Sequence, residues 1–262
     1  MTVETQAGLG APRLVRPRDS ERFDRVFTID MGLLGLSDQT PGARLLDLGC
    51  GAGRHELSAV RLPLEIVGCD QGSKDLRDGR FFVGEDGNAR SHRGRCEWVR
   101  ATGYLLPFGD GAFDSAICSE MLEHVDDDVA VLTELHRVVK PGGTLGVSVP
   151  AELVERILWR LSWDVSHTPG GHIRIYRRDG LLSLLRETGW QPYAVRYRHA
   201  LESVYWVLGA VGGGGTPPWM PARAWRSLTN SERSRSSGTW DAVERRLPRA
   251  FAKSVAVYAR AV

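Results

Sequence analysis

The sequence is organised around residues 45–55, Leu-Leu-Asp-Leu-Gly-Cys-Gly-Ala-Gly-Arg-His. Four residues of strand character lead into glycines at alternate positions, and the chain is then compatible with a helix. Glycine is needed where the backbone adopts positive φ, or where a ligand approaches so closely that a β-carbon would clash. A loop between a strand and a helix presents free N–H groups and the positive end of the helix dipole to a bound group. The segment therefore predicts a nucleotide-type cofactor site at the carboxyl edge of a parallel sheet.

The glycine spacing and one acidic residue restrict the ligand. The glycines follow G-x-G-x-G, whereas dinucleotide sites favour G-x-G-x-x-G, which leaves an NAD-dependent oxidoreductase as a remote alternative. Asp47 ends the strand, and its carboxylate would repel a phosphate but suits a cationic ligand. The alternative is a glycine-rich turn that binds no ligand.

The composition is that of a soluble globular protein. The chain has 262 residues, of which 42% are hydrophobic and 25% are charged, and it contains no apolar run long enough to span a membrane. The N-terminus does not have the pattern of a secretory signal. Four isolated cysteines without a C-x-x-C pair favour a reducing, cytoplasmic location and no metal: Cys50, Cys69, Cys96 and Cys118.

Charge is distributed unevenly along the chain. Residues 1–150 contain 17 Lys and Arg against 23 Asp and Glu, whereas residues 151–262 contain 17 against 9. No block of like charge or basic stripe is present, so we expect no nucleic-acid partner. The basic second half suits an anionic substrate, and a solvated arginine-rich surface is the alternative.

Strand and helix patterns alternate through the first part of the chain. The pattern of residues 1–40 predicts a loose leader followed by a helix from residue 19 or 20 to residue 35. This helix either covers a sheet edge or acts as a lid. Residues 41–150 predict a cofactor-binding core, a parallel doubly wound sheet with helices on both faces. Its predicted strands are 44–48, 64–69, 96–100, 113–118 and 144–149, and its predicted helices are 53–61, 73–82 and 126–140.

Residues 151–262 are predicted to supply substrate-side helices and loops together with the last two strands. Helices are predicted over 152–164, with Leu153, Ile157, Leu158 and Leu161 facing inward, and over 179–188. Strands are predicted over 191–197 and 254–260, separated by a long irregular stretch. An insertion of this length is more often functional than accidental.

Asp70 ends the second predicted strand, 17 residues after Gly53. An acid at this edge can accept hydrogen bonds from both hydroxyls of a ribose. Together with the glycine loop, Asp70 predicts a ribose-bearing cofactor.

Four segments then occur in order across residues 44–149. They are D-L-G-C-G-x-G at 47–53, L-P-F followed by F-D at 106–114, E-x-L-E-H-V at 120–125, and L-x-R-V-x-K-P-G-G at 135–143. In these segments the chain resembles the small-molecule branch of class I S-adenosylmethionine-dependent methyltransferases, of the menaquinone-methyltransferase type. The resemblance implies a Rossmann-like α/β fold with seven strands in the order 3-2-1-4-5-7-6 and an antiparallel last strand.

The resemblance also implies a cofactor site. Asp47, Gly49, Cys50 and Gly51 would surround the methionine portion and the sulfonium of S-adenosylmethionine. The remaining cofactor contacts would come from Asp70 and Gln71 at the ribose, from Thr102 (where the family more often has Asp) and Gly103 along the adenine, and from Ser119 and Glu120.

The reaction implied is in-line attack by a substrate nucleophile on the sulfonium methyl group, which leaves S-adenosylhomocysteine. The protein would position the reactants, exclude water and remove a proton where needed, without a nucleophile or metal of its own. Candidate catalytic residues are Glu120, His124 and His167; the first two would share a face if they lie on a helix.

A further segment, G-H-I-R-I-Y at 171–176, resembles one that crosses the active-site mouth in this branch. Its side chains would either contact substrate or anchor the segment to the core. The candidate substrate-binding residues are His167, His172, Arg174, Tyr176, Arg198 and Tyr205.

Several functions and acceptors remain open. The first hypothesis is a methyltransferase for a small secondary metabolite or a lipid- or isoprenoid-like compound, with oxygen, nitrogen or carbon as acceptor. The second is a cofactor-binding module that keeps the fold without turnover. The sequence is compatible with either a monomer or a homodimer.

Overall fold

The computed structural model describes residues 27–85, 92–161, 171–211, 220–221, 224 and 249–262. Seven strands form one sheet in the order β3-β2-β1-β4-β5-β7-β6, which confirms the predicted order. The first five strands run parallel, and β7 is antiparallel to both β5 and β6. The strands are β1 (Arg44–Leu48), β2 (Glu65–Asp70), β3 (Arg95–Arg100), β4 (Phe113–Ser119), β5 (Val139–Pro150), β6 (Trp190–Arg198) and β7 (Ser254–Ala261).

The helices in the described ranges connect these strands. They are α1 (Glu56–Ala59), α2 (Ser73–Gly84), α3 (Asp128–Val138), α4 (Glu152–Leu161), α5 (Arg178–Glu187) and α6 (Ala200–Val211), with 3₁₀ turns at Leu122–His124 and Arg249–Phe251. None of the helices described is long and apolar enough to cross a membrane.

Both faces of the sheet are buried, as expected for a parallel sheet covered by helices. On one face Leu46 and Leu48 pack with the buried residues of α3 and α5. On the other face Leu45 packs with Ile66, Ile117 and part of the segment at 29–36. Alternation of side chains along β1 therefore divides its leucines between two clusters, and Asp47 is the polar residue within that buried strand.

The segment before β1 is fixed against the sheet. Residues 27–43 form turns, so the predicted helix does not extend through 27–35, and its earlier part lies outside the described residues. Ile29 and Leu34 are buried, and Thr144 donates a hydrogen bond to the carbonyl of Leu34 (2.8 Å). The described part of this segment packs on the face of the central strands, whereas the prediction was a helix that covers a sheet edge or acts as a lid.

The helix α4 is rotated from its predicted orientation, although Leu158 is buried as predicted. Val154, Glu155 and Leu158 are buried, whereas Leu153 and Ile157 are exposed, as is Leu161 at the end of the helix. A helical period identifies an apolar stripe but does not fix how the helix is rotated against its neighbours. The buried acid is compensated by hydrogen bonds from side chains around it.

Two other predictions of secondary structure were wrong. The helix α3 ends at Val138 rather than Lys140, because Val139 already pairs with Phe113 of β4. The predicted irregular stretch after β6 contains the helix α6, whose sequence ALESVYWVLGAV is mostly apolar.

Candidate active site

The glycine loop leaves the carboxyl end of β1 in a conformation that needs glycine. Gly49, Gly51 and Gly53 have φ values of 75°, 53° and 83°, in the left-handed region. The N–H groups of Gly49 and Cys50 donate to the carbonyl of Cys69 at the end of β2, at 2.8 and 3.2 Å. The loop is thereby held across the ends of two neighbouring strands.

The glycines face different surroundings. No atom of the described residues lies within 4 Å of a β-carbon built on Gly51, so that side of the loop is open to a ligand. A β-carbon on Gly53 would lie 2.6 Å from the indole of Trp98, and one on Gly79 would lie equally close to the same ring. Gly51 thus forms part of a cradle, whereas Gly53 lets the loop pack against β3.

Asp70 lies beside the loop at the end of β2. Its Oδ2 accepts from the N–H of Gly51 (3.0 Å) and its Oδ1 from the N–H of Gly72 (2.7 Å). Each carboxylate oxygen has further acceptor capacity, so two ribose hydroxyls can also donate to it. A cleft of about 510 Å³ continues from here, lined by Gln71, Arg100, Ala101 and Thr102. This arrangement fits an adenosine group.

Asp47 belongs to a buried polar group behind the loop. Asp47, His55 and Glu56 are all at most 3% exposed, and His55 Nδ1 lies 3.3 Å from Asp47 Oδ2. Burial, followed by the nearby Asp47 carboxylate, raises the pKa of Glu56 well above its ordinary value. A protonated Glu56 can donate to Asp47, and a carboxylate behind the loop would favour a cationic ligand group.

We expect Glu56→Gln to stabilise the protein at pH 8 by about 1–2 kcal/mol, because it removes a buried carboxyl that must otherwise ionise or stay protonated at a cost. The folded-state pKa of Glu56 is raised. The contribution of Glu56 to the stability of the wild type is therefore fully present below the unfolded-state pKa of about 4.3, and it is lost as the pH rises above that value. The difference between variant and wild type should vanish near pH 4. Urea unfolding between pH 4 and pH 8 measures it.

Glu65→Gln is the control, because Glu65 is exposed on β2 and pairs with Arg44 at 3.6 Å. Its stability should follow the wild type within about 0.5 kcal/mol at every pH. If the free energies of unfolding of Glu56→Gln and wild type changed with pH in the same way, the pKa of Glu56 would not be raised in the folded state.

The carboxyl end of β4 carries Ser119 and Glu120. Glu120 has φ 53°, and its N–H donates to the carbonyl of Ser148 (2.9 Å). The Glu120 carboxylate accepts from the Ser148 hydroxyl (2.9 Å), and the Ser119 hydroxyl hydrogen-bonds to Ser148 (2.8 Å). Glu120 precedes the 3₁₀ turn that contains His124, so the two residues do not lie on one helix and the condition for a shared helical face is not met.

The segment 171–177 crosses the end of β4. The N–H of Ile173 donates to the carbonyl of Glu123 (2.9 Å), and Arg174 donates to the carbonyls of Val125 and Asp126 (2.7 Å each). Arg174 also pairs with Asp128, which accepts from Tyr176 as well. These polar groups bind within the protein, which favours the anchoring role of Arg174 and Tyr176.

The remaining predicted site residues lie away from the segment 171–177 or outside the described residues. Arg198 is at the end of β6, 3.4 Å from Asp30, and Tyr205 is on α6 with its ring against Trp206. His167 lies outside the described residues. Gly103 follows β3, where a β-carbon would contact Met121.

Sequence reasoning missed three features of the site. Glu123 and Glu155 are buried acids near the predicted His124 and His172, and Arg54 donates to Ser119 (3.3 Å) across the loop. Glu123 stands within the E-x-L-E-H-V segment, so its position was available from the sequence. Glu155 had no signal, because it belongs to the α4 face predicted to be exposed.

A comparison with protein families identifies the core. Residues 46–147 match the family model described as "Methyltransferase domain". This match covers less than half of the chain. The predicted resemblance to the S-adenosylmethionine-dependent methyltransferases is confirmed for these residues, and they include the glycine loop, Asp70 and Glu120.

Curated relatives match part of the chain. A "Ubiquinone biosynthesis O-methyltransferase" of Xanthomonas campestris pv. campestris (strain B100) is 34% identical over 108 residues, which are 41% of this chain and 43% of the relative. The protein of the same name from Xanthomonas euvesicatoria pv. vesicatoria is 35% identical over 107 residues, with the same coverage. The match thus spans less than half the length of this chain and of these relatives.

Solved structures share the fold over most of the chain. The [4+2]-cyclase SpnF has a TM-score of 0.58 at 20% identity, covering 91% of this chain and 87% of its own. A geranyl diphosphate methyltransferase solved with S-adenosylmethionine has a TM-score of 0.56 at 15% identity, covering 94% and 85%. At these identities the likeness shows the fold alone, and it covers more of the chain than the matched family model does.

Proposed function

We propose that the protein is an S-adenosylmethionine-dependent methyltransferase that acts on a small molecule. The observation that carries the proposal is the open Gly51 cradle between Asp70 and the buried Asp47 group. Asp70 would bind the ribose, the cleft at Thr102 would take the adenine, and the charge at Asp47 would favour the sulfonium. The bound cofactor supplies an electrophilic methyl group.

The residues at the end of β4 would then orient the acceptor. Glu120 is fixed by Ser148, which suits a carboxylate that positions an acceptor or holds its proton. His124 is exposed on the following turn and is a second candidate for proton removal. Cys50 is not a nucleophile, because burial raises the pKa of its thiol far above the ordinary value.

We further propose an acceptor with an apolar body and an anionic group. A cleft of about 400 Å³ lies beyond the carboxyl end of β5 and is lined by Ala151, Glu152, Leu153, Arg156, Tyr176, Arg178, Tyr197, Arg249 and Val255. Three arginines and several apolar groups suit such a compound. The relatives that act in ubiquinone biosynthesis and on geranyl diphosphate support a lipid- or isoprenoid-like acceptor. A cytoplasmic location is proposed from the free cysteines.

The alternative is a module that binds the cofactor without turnover or with other chemistry. The likeness to a [4+2]-cyclase supports it, because the fold alone does not require methyl transfer.

A coupled assay for S-adenosylhomocysteine release tests the proposal. We expect calorimetry to show binding of S-adenosylhomocysteine and none of NAD, and turnover on phenolic or prenylated acceptors. For matched acceptor pairs, the anionic member should have the higher kcat/KM, and the advantage should shrink with added salt. Cofactor binding without turnover on any acceptor would favour the module, and NAD binding would overturn the cofactor assignment.

A further inference from the structure

Three potential metal ligands converge beside Glu120. Glu123 and His124 belong to the 3₁₀ turn after β4, and His172 belongs to the segment that crosses it. One ligand atom from each residue lies within 4.8 Å of the others. The rings of His124 and His172 are edge-to-face with centroids 4.7 Å apart. Small side-chain rotations would bring the three atoms to about 2.1 Å from one ion.

The Glu123 carboxylate has no hydrogen-bond donor within the described residues. The residue is 0% exposed, and no donor in the described ranges hydrogen-bonds to either carboxylate oxygen. Buried carboxylates without a hydrogen bond are costly, and they are usually paired or bound to a cation. The orientation of this carboxylate toward two imidazoles therefore points to a cation between them.

Both histidines are oriented as metal ligands are. His124 Nδ1 lies 3.2 Å from the carbonyl oxygen of Gly171, which can only accept, so this nitrogen carries the proton. His172 Nδ1 lies 2.5 Å from the Glu155 carboxylate. In the neutral form, with the proton on Nδ1, each ring would have its lone pair on Nε2. Metal-bound histidines commonly donate their other N–H to a carboxylate or a backbone carbonyl in this way.

Glu155 is fixed in its turn. It is 3% exposed and accepts a hydrogen bond from the indole N–H of Trp159 (2.6 Å) as well as contacting His172. Its burial on α4 would be unfavourable without such partners. Glu155 thus serves as a positioning residue that orients His172.

We propose that Glu123, His124 and His172 bind one divalent first-row transition-metal ion, with Glu155 positioning His172. Two imidazoles and one carboxylate suit Zn²⁺, Fe²⁺ or Mn²⁺ better than Mg²⁺, which prefers oxygen ligands throughout. His124 is exposed, so coordination positions on that side would be open to a substrate oxygen. Only the binding of a substrate oxygen rests on the proposed function; the binding of the metal ion does not.

In that role the metal would bind a substrate hydroxyl and favour its ionised form. The hydroxyl proton would pass to solvent, the oxygen would form a bond to the methyl carbon, and the carbon–sulfur bond electrons would remain on sulfur. The products would be the methyl ether and S-adenosylhomocysteine.

Metal binding is tested on untagged full-length protein stripped with a chelator. We expect one equivalent of Zn²⁺ by titration calorimetry and by metal analysis after gel filtration, and no comparable uptake of Mg²⁺. The Co²⁺-loaded protein should show ligand-field bands without a thiolate charge-transfer band. Less than 0.2 equivalents of Zn²⁺, or a thiolate band that indicates the cysteines, would overturn the proposal.

Substitutions of the proposed ligands test which residues form the metal site. Glu123→Gln and His172→Gln should each weaken Zn²⁺ binding by about 100-fold, and Glu155→Gln by about tenfold, because it alters only the orientation of His172. The control is His136→Gln, which replaces a histidine bonded to the carbonyl of Val262 at the opposite edge of the sheet. It should bind as the wild type does. Circular dichroism confirms folding of each variant, and unchanged binding by folded Glu123→Gln and His172→Gln would contradict the assignment.

A turnover assay distinguishes failure of the metal-site proposal from failure of the proposed function. Zn²⁺ binding lost in the variants, with no turnover on any acceptor, would support the metal site and refute methyl transfer. Turnover unaffected by the chelator, with no Zn²⁺ uptake, would support methyl transfer and refute the metal site.

Discussion

Asp70→Ala is expected to weaken binding of S-adenosylhomocysteine by about 100-fold, since two hydrogen bonds from ribose hydroxyls to a charged group are lost, each worth about 1.5 kcal/mol. The same carboxylate accepts from the N–H groups of Gly51 and Gly72, so its removal also loosens the loop that forms the cradle. Titration calorimetry with the purified protein measures the loss.

Asp78→Ala is the matched control for charge. Asp78 lies on α2 and pairs with the exposed Lys74 at 2.5 Å. Removing it should change the affinity by less than about twofold, because an exposed ion pair contributes little. Asp70→Asn keeps one acceptor oxygen and should be intermediate. An affinity for Asp70→Ala equal to that of the wild type would show that Asp70 does not bind the ribose.

Gly53→Ala is expected to lower the free energy of unfolding by about 3 kcal/mol, from two causes. An L-residue in the left-handed region costs about 1–2 kcal/mol, and overpacking against a fixed neighbour costs about 1–3 kcal/mol. Gly53 has φ 83°, and its new β-carbon would lie 2.6 Å from the ring of Trp98. Urea denaturation measures the change.

Gly51→Ala separates the two causes. Gly51 also has positive φ, but no atom of the part of the chain that is described lies within 4 Å of its β-carbon. We expect a loss of about 1 kcal/mol in stability. Its larger effect should be on cofactor binding, because the methyl group would enter the cradle. Equal destabilisation by the two substitutions would mean that the Trp98 contact contributes nothing.

The core of the fold was predictable because its signals are local. Three glycines after an apolar strand require a particular backbone path, and an acid at the end of the next strand in a parallel sheet must lie beside that path. The structure accordingly places Asp70 against Gly51. The strand order came with the resemblance carried by four segments, and β7 lies between β5 and β6 as that resemblance implied.

The second half was predicted less well because its features depend on packing between distant elements. The rotation of α4 is one example: Glu155 is buried because Trp159 and His172 both donate to it, and His172 comes from a separate segment. The helix α6 is another, since an apolar stretch after a strand has no period that distinguishes a covered helix from an irregular loop.

The sequence by itself determined the cofactor loop, because backbone conformation at glycine and the position of an acid at a strand end are local properties. Only the tertiary structure decided what surrounds Glu123. The sequence shows its neighbour His124, but His172 is 48 positions further along the chain than His124 and reaches it through the hydrogen bond from Ile173 to Glu123. A long-range backbone contact, which no local pattern encodes, joins the acid and two imidazoles into one potential metal site.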